Sequence, residues 1–130
     1  MSKKIITLAA LLLLLCTVGC GKKSNEKELT TNVGKMGKIF YEEFYYPQVE
    51  KSQEDPKAFM ARFEKAGIKV NLTNLSKISK VDKELVDSMV NSKTKEKCNG
   101  EKTSVRIIPK SPYGKTDYEI EVTLDCGFEK

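Results

Sequence analysis

Seven residues near the C-terminus constrain this chain more than any others. Tyr118, Ile120, Val122 and Leu124 alternate with Glu119, Glu121 and Thr123. Successive side chains of a strand point to opposite faces, so the run predicts a strand with one face on a core and the other in water. A single strand leaves its backbone groups unpaired, and a partner is required. Val105 and Ile107 repeat the same period, and Ser111-Pro112-Tyr113-Gly114 between the two runs suits a turn or short loop. The C-terminal third therefore reads as a β-hairpin with Ile107 opposite Ile120. Ile68, Val70 and Leu72 give a further short strand pattern.

The rest of the sequence reads as helix. Val33, Met36, Phe40 and Phe44 recur at three- and four-residue spacing, which predicts a helix over about 33–46, capped by Asn32 and ended or kinked by Pro47. A second helix is punctuated more clearly. Asp55 suits the N-cap, Pro56 the first helical position, and Gly67 the left-handed residue after the last turn, with Phe63 and Ile68 placed to touch as in a Schellman motif. A third helix is expected over about 80–91, with Ser79 as its cap and Val81, Leu85, Val86, Met89 and Val90 buried. The predicted class is α+β: about three helices packed on a small antiparallel sheet with a C-terminal hairpin.

The N-terminus follows another logic. Lys3 and Lys4 precede an apolar run from Ile5 to Leu15, which is too short to cross a bilayer, since a spanning helix needs about 20 residues. A basic start, a short apolar stretch and small residues ahead of a cysteine resemble the signal peptide of bacterial lipoproteins, with Thr17-Val18-Gly19-Cys20 as the lipobox. The resemblance covers these 20 residues and implies cleavage before Cys20 and acylation of its sulfur. It implies the organisation 1–19 signal peptide, 20–32 lipidated cysteine and solvated tether, and 33–130 a small extracytoplasmic domain on the membrane surface. Two or more acyl chains convert reversible membrane binding into stable anchoring.

With Lys3 and Lys4 removed, the 23 basic residues fall to 21 against 18 acidic ones. The charges are interspersed, as in Glu26-Lys27-Glu28, which describes a solvated surface and argues against a nucleic-acid groove. Four cysteines are present. Cys16 leaves with the signal peptide and Cys20 takes lipid. Cys98 and Cys126 remain, in a compartment where disulfides persist. Cys126 continues the even-numbered face of the last strand, and Asn99-Gly100 is a turn able to bring Cys98 back to it, so a Cys98–Cys126 bridge is expected over a pair of free buried thiols.

Catalytic chemistry finds little support. The chain has no histidine, which removes the usual base and metal ligand near neutral pH. The Ser76-Lys77 and Ser79-Lys80 pairs follow from the abundance of both residue types. Asp82, Glu84 and Asp87 lack the alternating oxygen ligands of a calcium loop. The segment Phe40-Tyr41-Glu42-Glu43-Phe44-Tyr45-Tyr46 holds five of the ten phenylalanines and tyrosines. Two readings of it stay open: both aromatic stripes belong to the core, or Tyr41, Tyr45 and Tyr46 form a contact surface for a partner. An N-terminal helix followed by a hairpin closed by Cys98 and Cys126 also resembles the globular heads of type IV pilin-like proteins, in arrangement over 33–126. A pilin keeps its long apolar helix, whereas here the apolar run is expected to be removed. The expectation is a non-catalytic, lipid-anchored envelope protein that binds or scaffolds a surface protein or glycan, without cofactor, metal or nucleic acid. A small envelope hydrolase or enzyme accessory is the alternative.

Overall fold

A computed structural model describes residues 24–128. The signal segment and Cys20 lie outside the described residues. The architecture is α+β. Helix α1 (Glu26–Ile39) passes through a π-helical turn (Phe40–Tyr45) into α2 (Tyr46–Ser52). Short helices α3 (Pro56–Ala61), α4 (Leu72–Leu75) and α5 (Lys83–Asp87) and strands β1 (Ile68–Asn71), β2 (Ser104–Pro109) and β3 (Tyr118–Thr123) complete it.

The sheet is antiparallel in the order β1-β2-β3. Ile107 pairs with Ile120 as the alternation predicts, and Ile68 pairs with Ile107 on the other side. Val105 and Ile107 on the central strand are fully buried and join Val70 beneath α1. The opposite face carries Arg106, whose guanidinium donates twice to Oε1 of its cross-strand partner Glu121, at 2.8 and 3.0 Å, and once to the Ala66 carbonyl.

Helix α1 starts earlier than the expected Val33. Leu29 has no exposure and extends the stripe of Val33, Met36 and Phe40 by one turn. Residues 26–32, read as tether, are therefore helix. Asn32 does not cap it: the side chain is buried mid-helix and donates to Ser88 Oγ at 3.3 Å. Asn25 sits just ahead of the helix instead, and its amide spans to another segment, donating to the Val90 carbonyl and accepting from the Ser92 N–H. Gly37 allows α1 to lie close to the sheet, because a Cβ there would come within 2.8 Å of Val105 Cγ2.

Asp55 caps α3 through the Ala58 N–H, as its sequence position predicts. The following turns close at Gly67 (φ +75°), whose N–H donates to the Phe63 carbonyl at 2.7 Å. This is the single-bond left-handed cap rather than the Schellman pair. Leu72 leaves β1 to begin α4, where the Asn71 side chain caps Asn74. The third predicted helix shrinks to α5, and its cap is Asp82, not Ser79. Asn91 ends this region by folding the chain back: its Oδ1 accepts from Lys93 and Thr94, and its amide donates to the Cys126 carbonyl. A polar side chain with 1% exposure and three partners fixes this turn beyond the end of α5.

Cys98 and Cys126 are disulfide-bonded. The Asn99 side chain accepts from Glu101 and Lys102 in the turn that returns Cys98 to its partner.

Candidate functional site

The aromatic segment is built by the π turn. An α-helix turns about 100° per residue, and a π turn inserts one extra residue, so the side chains beyond it slip by about that angle. The Tyr46 N–H donates to the Tyr41 carbonyl, five residues back. Tyr41 and Tyr46, five apart, thereby share the buried face. Pro47, which has no N–H, follows at once in the first turn of α2. The helix runs on through the proline rather than ending at it.

This slip decides which aromatic rings meet water. Tyr41 has no exposure and Tyr46 only 3%, so neither belongs to a contact surface; Tyr45 is half-buried. Phe44, expected on the core stripe with Phe40, is instead the exposed large apolar side chain of the described residues, at 42%. The rings still form one assembly. Phe40 lies 5.8 Å from Phe44 and 5.6 Å from Tyr45, and Tyr41 contacts Tyr45, Tyr46 and, at 4.8 Å, Tyr118 of β3.

Hydroxyl groups close the edges of this assembly. Tyr118 donates to Glu42 and Tyr113 to Glu64, while Tyr46 donates to the Tyr113 carbonyl at 3.2 Å. Tyr41 Oη is buried and has no hydrogen-bond partner among the described residues. All five tyrosines hold their protons more tightly than a free phenol. Burial is the main cause for Tyr41, Tyr45, Tyr46 and Tyr118, with the Glu42 hydrogen bond adding to Tyr118. For Tyr113 the bond to Glu64 leads. None is therefore a base or an anionic nucleophile near neutral pH, and what the cluster offers is shape and apolar surface.

Other sequence candidates are occupied locally. The Ser76 hydroxyl donates to the Thr73 carbonyl at 2.6 Å, and the Asp82 carboxylate accepts from the Glu84 N–H. Among the described residues no three His, Cys, Asp or Glu side chains group to hold a metal ion, and no helix is long and apolar enough to cross a membrane. A groove of about 420 Å³ beside the disulfide is lined by Leu72, Val86, Met89 and Cys98, with Asp87 and Lys97 as its charged members. The 3.6-residue period places Phe44 inward, so the sequence pattern alone does not mark it as exposed. The signal for the π turn is the five-residue spacing of two tyrosines immediately before a proline.

Comparison with protein-family models, with curated proteins and with solved structures finds no match for this chain.

Proposed function

We propose that this chain is a non-catalytic bacterial envelope lipoprotein, anchored through lipid on Cys20, that presents the π turn and its exposed Phe44 to another envelope component, a protein or a glycan. The observation that carries the reading is Phe44 itself. A large ring left 42% in water, backed by the stacked Phe40 and Tyr45, has the composition of an aromatic anchor. It stands on a π turn, an irregularity that recurs at functional sites. Phe44 is also well separated from the start of the helical run that follows the tether. Phe44 lies 18 positions along the helical run from Glu26, or about 27 Å at the α-helical rise. A membrane-tethered domain would hold that ring clear of the lipid.

Two experiments test this. Fatty-acid labelling in the producing bacterium should mark the wild type and not Cys20→Ala; equal labelling of both refutes the anchor. Cross-linking in the native envelope should yield a discrete adduct that Phe44→Ser loses while keeping the wild-type melting temperature. An adduct unchanged in Phe44→Ser refutes the aromatic contact. Sensitivity of the adduct to glycan hydrolases separates a glycan from a protein partner.

A further inference from the structure

Helix α1 begins at Glu26, and Asn25 is already pinned by two hydrogen bonds to Val90 and Ser92. The link from Cys20 to Asn25 is therefore five residue steps, which fully extended span at most about 18 Å. Whatever surrounds Asn25 is held that close to the acylated residue.

What surrounds it is a lysine-tipped hairpin. Val90 bridges Lys97, the Asn91 N–H donates to the Glu96 carbonyl, and the Lys95 N–H returns to the Asn91 carbonyl. The tip, Lys93-Thr94-Lys95, is exposed, and Lys95 adopts φ +65°. The buried Asn91 side chain holds the turn from within through Lys93, Thr94 and Cys126. Ser24, Glu26, Lys93, Thr94 and Phe128 line one pocket, so the start of α1, the lysine tip and the aromatic Phe128 share one end of the domain. Lys27 is exposed in the first turn of α1. Glu26 and Glu28 flank it, and Glu96 packs beside Gly127.

We propose that this end of the domain, with Lys93 and Lys95 at its tip, rests on the anionic headgroups of the membrane that holds Cys20. The inference rests on the anchoring reading above and goes beyond it by orienting the domain. Two features support the surface as partner. The tether is short enough to let the lysines approach within the Debye length of about 8–10 Å over which the bilayer charge attracts them. The hairpin is fixed by a buried asparagine, so its backbone need not be ordered on contact.

The test uses the full acylated chain in vesicles of phosphatidylcholine alone and of an equal mixture with phosphatidylglycerol. Lysines are labelled with an amine-reactive reagent and read by peptide mass spectrometry. Lys93 and Lys95 should each label roughly five-fold more slowly on the anionic vesicles, the factor expected for one lysine at an anionic surface. The protection should vanish at about 1 M salt. Exposed Lys57 and Lys115, far from this end, should label equally on both. In Lys93→Gln/Lys95→Gln, Lys27 should lose its own protection. A chain that carries fatty acid on Cys20 but labels equally on both vesicles overturns the orientation alone. A chain without fatty acid overturns the anchor and the orientation together.

Discussion

Tyr41→Phe should stabilise this protein, against the usual direction of a change at a fully buried side chain. The Tyr41 hydroxyl is buried with no partner among the described residues. Keeping such a group out of water costs about 1–3 kcal/mol. Phenylalanine keeps the ring contacts with Tyr45, Tyr46 and Tyr118 and removes only the oxygen. A small void offsets part of the gain, which leaves about 1–2 kcal/mol. For a domain of this size that raises the melting temperature by roughly 4–8 °C per kcal/mol. A second signature lies at high pH. Burial raises the Tyr41 phenol above its ordinary value of 10, with the neighbouring Tyr46, Tyr45 and Asp117 adding to the rise. The unfolded chain therefore releases this proton first. Its contribution to stability is complete below about pH 10 and is lost above it, by up to about 1.4 kcal/mol per pH unit. Tyr118, raised mainly by burial and then by its bond to Glu42, adds to the same alkaline loss. Urea unfolding at neutral pH and near pH 11 measures both effects. The variant should be more stable at neutral pH and its advantage should widen at high pH. A loss of about 1 kcal/mol or more at neutral pH would refute the reasoning and point to an internal water bonded to the hydroxyl.

The disulfide closes a loop of 29 residues, counting both cysteines, for which chain entropy gives about 3.6 kcal/mol; Cys98→Ser should lose a few kcal/mol in urea titration, and wild-type protein should show no free thiol at 98 or 126 when denatured without reductant. Leu29→Ala should cost about 2–5 kcal/mol, since Leu29 is fully buried; an effect below about 0.5 kcal/mol by the same titration would return residues 26–32 to a solvated tether. Gly37→Ala should cost about 1–3 kcal/mol through the clash with Val105, and Val105→Ala in the same chain should recover part of it.

Where local chemistry and tertiary packing agree, the structure follows the sequence pattern. The alternation around Ile120 gives the hairpin and its register because a shift by one residue would turn Ile120 and Val122 into water. Asp55, Pro56 and Gly67 mark the α3 segment because capping and the left-handed residue are properties of three or four adjacent positions. The failures arise where a distant partner decides. Leu29 is a single apolar residue in a polar stretch, and its four-residue spacing to Val33 is the legible sign of a longer helix. The third helix ends at Asp87, and the chain beyond it is held by a distant partner, Asn91 bonding to Cys126, 35 residues away, which no local window contains. A 3.6-residue period places Phe44 on the core stripe, and the inserted residue turns Phe44 outward and brings Tyr46 onto the buried face of Tyr41.

The two ends of the domain are closed by different chemistry, and that division bears on the proposed role. At the end where α1 begins, the disulfide, Asn25, Asn91 and Asn99 tie four segments through a covalent bond and backbone groups. At the other end, beyond the π turn, closure rests on side chains: Tyr118 to Glu42, Tyr113 to Glu64, Tyr46 to the Tyr113 carbonyl. Strand β3 runs back from the second end to the first, antiparallel to its neighbour β2 and in contact with α1. A tether pulling on Cys20 would load the covalently closed end first. On the proposed reading, the aromatic end, which holds Phe44, would face the partner, away from the end that the tether loads. The proposed role would thus set the disulfide-closed end on the lipid side and Phe44 about one helix length away on the partner side.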